Sequence, residues 1–450
     1  MLKVSHVVIV GGGFSGVLLA INLLRHGTVR VTLIERHPDR LGRGLAFGAA
    51  HADHVLNVRA GNMSALPDQP DHFGQWLQSR QLGDDGSFAT RQDYGRYLCA
   101  LLDAAREEAG TRLAVVHDEV IDLTLLHDGV EAVMQSGGRI AADVVVIAPG
   151  NLPPHRLAAF SGMNRPAYVD DPWARAISDG LGAGEVIMLL GSGLTAVDSA
   201  LGLDAAGFKG RIIALSRRGL TPQRHAPVSS HEKRTDRPTG TASELVSLIR
   251  ARCDAIGWRS AVDELRPFTQ DMWRAAEPDV RQRFLRHLRP YWDIHRHRIA
   301  PLVADRIDAM QSDGRLEVRA GKVVAARMEG EGIIVTVRPR GSEQVEEVPV
   351  ARVVNCTGPL GDLDRTTDIL LQTLTKRGEI RADPLAIGID VDRQCRTIKA
   401  DGNTQQRLFA VGPMTRGAHW EIVAVPDIRR QVWALAREMT GAHWVEAEGL

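Results

Sequence analysis

The most constraining feature of this chain stands close to its first methionine. Gly11-Gly12-Gly13-Phe14-Ser15-Gly16 lies directly behind the apolar run Val7–Val10 and opens a helical repeat over Phe14–Arg25. A second β-branched run, Val29–Ile34, follows and ends at Glu35, 19 residues past Gly16. Strand, glycine turn, helix and strand make a βαβ unit, which demands a parallel sheet covered on both faces. Gly11, Gly13 and Gly16 fill the three places of the GxGxxG pattern: a tight turn, close backbone approach to a pyrophosphate, and close helix–strand packing. The helix N-terminus then offers unpaired N–H groups and a positive dipole end to phosphates. Glu35 stands where a carboxylate accepts hydrogen bonds from a ribose diol.

The device occurs twice. Gly191-Ser192-Gly193-Leu194-Thr195-Ala196 is the GxGxxA variant, between the apolar run Val186–Leu190 and the helical Val197–Leu203, with a returning strand at Ile212–Leu215. Ser216 stands 20 residues after Ala196, in the place of Glu35, and is followed by Arg217-Arg218. A carboxylate there favours NAD, whereas a small hydroxyl beside guanidinium groups suits the 2′-phosphate of NADP. NADPH is therefore the expected nucleotide of this loop, with NADH as the alternative.

These units set the expected fold: an α/β protein with two Rossmann-like, doubly wound dinucleotide-binding domains. An antiparallel β meander is expected over 113–147, including Val130–Met134 and Asp143–Ile147, and a helical insertion over about 220–304. The first domain is expected over 1–160, the second over 161–350, and the remainder of the first over 351–450. Further strands are expected at Leu316–Arg319, Ile333–Val337, Val353–Asn355 and Leu408–Val411, the last followed by Gly412 and a helix to about Met439. A length of 450 residues fits two or three domains. With 55 basic and 55 acidic residues the formal charge is zero, so no global field draws the chain to nucleic acid or to an anionic membrane. Apolar runs stay below the roughly 18 to 20 residues that span a bilayer. The first strand leaves no room for a secretory signal, so a cytoplasmic location is expected. Cys99, Cys253, Cys356 and Cys395 are far apart and form no CxxC pair, which reads as reduced thiols. His295 and His297, two apart, diverge on a helix, and no metal site is expected.

Two glycine loops, one with Glu and one with Arg at the strand end, resemble the two-dinucleotide-binding-domain flavoproteins. That superfamily includes pyridine nucleotide–disulfide reductases, ferredoxin reductases and class B flavin monooxygenases. Val145-Val146-Ile147-Ala148-Pro149-Gly150 resembles the segment where such chains leave the FAD domain, and Val353-Val354-Asn355-Cys356-Thr357-Gly358-Pro359 the segment where they return. Leu408-Phe409-Ala410-Val411-Gly412-Pro413 is similar to the C-terminal FAD motif, with Pro413 where many members carry Asp. A closer resemblance is to the bacterial FAD–NAD(P)-binding family that includes flavin-dependent urate hydroxylases. It is carried by Gly42-Arg43-Gly44-Leu45-Ala46-Phe47, His54-Val55-Leu56-Asn57-Val58, Asn62-Met63-Ser64, Phe73, Trp76, Arg91-Gln92-Asp93-Tyr94-Gly95-Arg96-Tyr97 and Gly417-Ala418-His419-Trp420-Glu421-Ile422.

The resemblance implies FAD at Gly11, Gly13, Phe14, Ser15, Gly16, Glu35, Arg36, Arg43, Gly150, Gly358 and Gly412. It further implies that Arg91 and Gln92 face the flavin or its phosphates and that Asn57 and Met63 sit near the isoalloxazine. From the residues alone, Asn57 reads as a turn residue and Met63 as core. NADPH is implied at Gly191, Gly193, Thr195, Arg217 and Arg218.

Disulfide reduction needs a cysteine pair within two or three residues, and the chain has none, which excludes that branch. A flavin monooxygenase needs only shelter, orientation and hydrogen bonds from the protein, because the cofactor carries the chemistry. No catalytic residue is then expected to stand out. The resemblance implies hydride transfer from NADPH, oxygen addition to reduced flavin as a hydroperoxide, and hydroxylation of a small polar or anionic molecule, urate-like among the candidates. Phe160-Ser161-Gly162 and Tyr168-Val169-Asp170-Asp171-Pro172-Trp173 echo a class B fingerprint, with Tyr in place of His and Pro-Trp reversed. The segment His287, Arg289, Tyr291, Trp292, Asp293, His295, Arg296, His297 and Arg298 reads either as a basic, aromatic lining for an anionic planar substrate or as a solvated amphipathic helix. Two other functions stay open: a flavoprotein reductase passing electrons to a protein partner, and a flavin-binding regulator with little turnover.

Overall fold

Where both faces of a strand must be covered, its residues are apolar without interruption. The computed structural model describes residues 4–48, 51–163, 166–173, 177–227 and 234–442. In it β1 (His6–Val10) and β2 (Arg30–Ile34) run parallel, joined through α1 (Phe14–His26). Residues Phe14 to Leu24 are buried along the whole of α1, as expected of a helix apolar on every face. α2 (Gly44–Gly48), α3 (His72–Gln78) and α4 (Arg91–Ala109) follow. Thr90 starts α4 by accepting from Asp93 N at 3.0 Å, satisfying one of the helix's orphan donors. β3 (Leu113–Val116) lies parallel to β2. β4 (Val120–Leu125), β5 (Val130–Met134) and β6 (Arg139–Ala142) form a separate antiparallel sheet, and β7 (Val144–Ile147) returns parallel beside β1.

The expected meander over 113–147 is thereby corrected to its middle, β4 to β6. Burial explains the difference: β7 is buried at every position, as a central parallel strand must be, whereas β5 alternates.

The next stretch builds a second sheet from β8 (Tyr168–Val169), β9 (Val186–Leu190), α5 (Leu194–Ala205) and β10 (Arg211–Ser216). The insertion consists of α6 (Ala242–Ile256), α7 (Trp258–Asp263), α8 (Thr269–Ala275), α9 (Pro278–Arg283), a π-helical turn at Phe284–Leu288, and α10 (Arg289–Arg296). Thr241 and Glu244 form a capping box at the start of α6. α11 (Pro301–Ser312), β11 (Leu316–Glu329), β12 (Gly332–Pro339), β13 (Glu346–Val350) and β14 (Arg352–Asn355) complete the order β13-β12-β11-β10-β9-β14-β8. β13 escaped the sequence reading because its charges and Pro349 are the marks of an edge strand rather than a core one.

The chain then adds α12 (Ile369–Lys376), β15 (Arg396–Ile398), β16 (Thr404–Ala410) and α13 (Val425–Thr440), giving the first sheet the order β15-β16-β7-β1-β2-β3. The expected two-Rossmann α/β class is what the molecule shows. Contacts gather into two units: residues 1–50, 58–152 and 360–450 in one, 51–57 and 153–359 in the other. The first core includes Val8, Leu123, Leu371 and Leu408, and the second Phe160, Met188, Ile213 and Val335. Within the second unit the short 51–57 piece is tied by His54 Nε2 to the Asp198 carbonyl (2.9 Å) and by Asp53 to Arg306 (2.9 Å).

Candidate functional site

The two glycine loops fold in the same register. Val10 pairs with Ile34 and Leu190 with Leu215. Gly11 N donates to Ile34 O at 2.9 Å, and Gly191 N to Leu215 O at 2.8 Å. On the other side, Ala148 N donates to Val10 O at 2.8 Å and Cys356 N to Leu190 O at 3.1 Å. Gly11 (φ +108°) and Gly191 (φ +126°) occupy backbone that side chains disfavour. A Cβ on Gly11 would strike the Ala148 carbonyl oxygen, and one on Gly191 would lie 2.5 Å from that of Cys356. Gly13 and Gly193 start α1 and α5 with nearly equal backbone angles and no side-chain cap, so no side chain at the cap position takes up the first N–H groups of these helices, which begin with Phe14 and Ser15 and with Leu194 and Thr195. Two residues beyond Ala148 and Cys356, Gly150 and Gly358 turn the chain away from each loop with positive φ.

Against that shared frame two differences stand out. Glu35, buried at the end of β2, accepts from Gly12 N at 2.7 Å and His37 N at 2.8 Å. A Cβ on residue 12 would lie 2.8 Å from the Glu35 Cβ, 2.9 Å from Leu41 Cδ1 and 3.3 Å from the Glu35 Cγ, so glycine is needed there. At the matching places of the second loop, the Ser192 and Ser216 hydroxyls share a hydrogen bond at 2.8 Å, Ser192 Oγ donates to the Leu220 carbonyl, and Gly219 N donates to Ser216 Oγ at 3.0 Å. One loop fills the space with Gly plus Glu, the other with Ser plus Ser. The third position differs too: a Cβ on Gly16 would collide with the Gly11 carbonyl, while Ala196 is accommodated and buried. A cavity of about 200 Å³ lies beside it, lined by Ser192, Ala196, Ala200, Thr221, Gln223 and Gln311 among others.

Around the first loop, several of the residues that carried the resemblance assemble. Gly42 N donates to Gly12 O at 2.8 Å, and Gly44 lies against Gly13. Arg43 packs on Gly95 of α4 and donates to Asp39 O at 2.8 Å. Phe14, Phe47, Phe73, Trp76, Tyr94 and Tyr97 form one aromatic cluster, with ring centroids 4.8 Å apart for Phe47 and Tyr94 and 4.9 Å for Phe73 and Tyr97. Tyr94 Oη is buried there with no hydrogen-bond partner among the described residues. Gly412 (φ +81°) ends β16 against Ser15, where a Cβ would lie 2.5 Å from the Ser15 hydroxyl. Its N–H donates to Gln431 Oε1 at 2.8 Å, and Gln431 Nε2 donates to Thr415 Oγ1 at 3.0 Å. Pro413, where many members of that superfamily carry Asp, opens a one-turn helix, Pro413–Thr415. Sequence reading missed Gln431, although a buried amide on the apolar face of α13 is a visible signal.

Other candidates are placed differently. Arg36 is held by Glu119 at 2.9 Å and Asp368 at 3.3 Å, so its charge is taken up by carboxylates. Arg91 and Gln92 occupy the first turn of α4. Met63 is buried in the first unit, closing the turn Ala60–Asn62, while Asn57 belongs to the second, where its carbonyl accepts from His225 Nε2 at 2.9 Å.

In the second unit Arg217 is exposed, and Arg218 Nη2 donates to the Arg286 carbonyl at 3.3 Å with its guanidinium 5.7 Å from the Tyr291 ring centre. The segment read as a basic lining is largely engaged within the insertion. Arg298 is buried and pairs with Asp263 (2.9 Å), Arg289 pairs with Asp293 (3.3 Å), and His295 Nδ1 meets the Tyr291 carbonyl at 2.7 Å. All four cysteines are free thiols, and burial pushes the Cys356 thiol up to about 12, far from a reactive thiolate. Among the described residues no group of three or more His, Cys, Asp or Glu is arranged to hold a metal, and no helix is long and apolar enough to cross a membrane.

Residues 8–152 match the model of a family described as FAD-NAD(P)-binding, in accord with the resemblance drawn from the glycine loops. No curated protein matches the chain in sequence. Solved structures are similar along almost its full length. The ornithine hydroxylase of Pseudomonas aeruginosa is 16% identical, with 97% of this chain and 99% of that one covered at a TM-score of 0.67. An ornithine N-hydroxylase of Kutzneria sp. 744, solved with reduced FAD, NADP+ and L-ornithine, is 15% identical over 96% of this chain and 98% of that one, at 0.64. The cadaverine monooxygenase of Erwinia amylovora, solved with FAD, is 15% identical over 97% and 94%, at 0.67. At such identities the likeness is one of fold.

Proposed function

We propose that this chain is an FAD-dependent NAD(P)H oxidoreductase acting as a monooxygenase on a small polar molecule. The observation that carries this reading is the pair of glycine loops in one register, one closed by a buried carboxylate and the other by a hydroxyl followed by two arginines. The first fits FAD. Its glycines leave no room for a Cβ, no side chain at the cap position takes up the first N–H groups of α1, and Glu35 is fixed at the strand end to receive a ribose. Gly11, Gly13, Phe14, Ser15, Gly16 and Glu35 would hold it, with Gly150 and Gly412 bounding the same loop. The second fits NADPH through Gly191, Gly193, Thr195, Arg217 and Arg218. When bound, FAD accepts hydride from the nicotinamide and, once reduced, activates dioxygen. The protein's part is to bind both nucleotides, orient them and exclude water.

The structural relatives are described as acting on ornithine and cadaverine, so a small primary amine is the substrate class proposed here. A urate-like anion is less supported, because the side chains expected to line its site are engaged with one another. The test is to purify the protein, record its flavin spectrum, and follow NADPH and oxygen consumption with panels of amines and of purines. Product formation that suppresses hydrogen peroxide release supports the proposal. A colourless protein that fails to retain added FAD overturns it, and rapid cytochrome or ferredoxin reduction without hydroxylation replaces it with a reductase.

A further inference from the structure

We infer that the helical insertion completes the phosphate-reading part of the second nucleotide site, with Arg286 acting beside Arg217 and Arg218. The inference rests on the reading of the second loop as an NADPH site.

Three observations carry it. First, the insertion is fixed to the chain just past the basic turn. Gln223 N donates to Ile294 O at 3.0 Å, Ile299 N to Gln223 O at 2.9 Å, and His225 N to Ile299 O at 3.0 Å. Arg259 adds two hydrogen bonds to the Arg224 carbonyl, at 3.1 and 3.0 Å. Second, the π-helical turn Phe284–Leu288 is what meets Arg218, through the Arg286 carbonyl, and Tyr291 lies under the same guanidinium. Such turns interrupt the regular helix ladder and often mark functional sites. Third, the charges at this place are unspent. Arg217 and Arg286 are exposed and have no ion-pair partner among the described residues. Several other arginines of the same unit are neutralised: Arg211 by Glu317, Arg306 by Asp53 and Asp204, Arg315 by Asp204, and Arg319 by Glu317 and Glu346.

Arg217 and Arg218, just past the end of β10, and Arg286, on the turn whose carbonyl meets Arg218, together suit a dianionic phosphate. Arg218 then has two tasks: its charge faces the phosphate, and its N–H holds the π-turn that carries Arg286. The residue that distinguishes NADPH from NADH would therefore come partly from about 70 positions down the chain rather than from the turn alone.

The probes are 2′,5′-ADP, which carries the extra phosphate, and 5′-AMP, which lacks it, titrated against the intact flavoprotein by calorimetry. Wild type is expected to bind 2′,5′-ADP more tightly. Arg286→Ala is expected to weaken 2′,5′-ADP about tenfold, as for one charge-assisted hydrogen bond at an exposed place, and to leave 5′-AMP unchanged. Arg250→Ala, on the exposed face of α6, is expected to alter neither. If wild type prefers 2′,5′-ADP but Arg286→Ala binds it equally well, this inference falls and the nucleotide reading stands. If wild type binds the two probes equally, no phosphate site exists and the inference falls. If it binds neither, the nucleotide reading falls with it.

Discussion

Placing a glutamate at Ser216 tests whether the two loops obey the same rule. In the wild-type second loop Ser216 Oγ shares a hydrogen bond with Ser192 Oγ at 2.8 Å and accepts from Gly219 N at 3.0 Å. Ser216→Glu removes both, at about 1 kcal/mol each. The new Cγ and carboxylate also approach the Cβ of Ser192, whereas in the first loop residue 12 has none, and a Cβ there would lie 3.3 Å from the Glu35 Cγ. Crowding of that kind costs about 1–3 kcal/mol, so the single variant should lose about 3–5 kcal/mol in all. Adding Ser192→Gly recreates the Gly12–Glu35 arrangement, with the carboxylate accepting from the backbone N–H of residue 192. The double variant should therefore be more stable than the sum of the singles by about 1–2 kcal/mol. Urea unfolding of the four proteins gives that coupling, and titration with NADP+ and NAD+ gives its consequence. Both glutamate variants should bind NADP+ at least about tenfold less tightly through charge repulsion, and only the double should gain NAD+. Single and double effects adding to within about 0.5 kcal/mol would refute the claim that residues 192 and 216 fit each other as 12 and 35 do.

Gly16→Ala should drive a methyl group into the Gly11 carbonyl, costing at least about 2 kcal/mol and abolishing flavin retention, read from melting and the visible spectrum. Ala196→Gly, its counterpart, should cost only about 1 kcal/mol of helix propensity. With its thiol pushed up to about 12 by burial, Cys356 should resist alkylation in the native protein near neutral pH, and mass spectrometry finding it labelled quickly would contradict that. His6 is buried between Arg30, whose Nη2 donates to Nδ1 at 3.1 Å, and Thr32, 2.9 Å from Nε2. Burial, aided by the Arg30 charge, holds its pKa below the ordinary 6.5. The folded state thus binds fewer protons than the unfolded one below pH 6.5, so stability is fully present above that value and declines as the pH falls through it. His6→Gln should flatten the urea midpoint between about pH 7.5 and 5.

The glycine loops, their strands and Glu35 could be read directly because each reports a local requirement: a turn, a helix start, an apolar run of fixed length. The pairing of Ser192 with Ser216 could not, since it depends on the register of β9 against β10, which the chain specifies only through packing. The same holds for the carbonyls of Ala148 and Cys356, which limit what stands at Gly11 and Gly191 although no side chain of theirs is involved. Of the two readings left open for residues 287–298, the helical one has a pairing that the spacing makes legible, because Arg289 and Asp293 are four apart on a helix and pair there. The association of residues 51–57 with the second unit has no sequence mark. Two histidine bonds and an ion pair to partners far along the chain contribute to it.

Because neither unit is a continuous stretch, synthesis on a ribosome imposes an order on them. Once residue 359 has emerged, every strand of the seven-stranded sheet is available, including the piece that brings Asp53 and His54. The six-stranded sheet, begun first, still lacks β15 and β16, so β7 shows a bare edge, and α1 lacks the cover of α13. The unit that starts the chain is the last to close, and a nascent chain can shape its second glycine loop before its first is finished. A gene fragment encoding 153–359 alone would omit the 51–57 contacts and start from a weakened second unit.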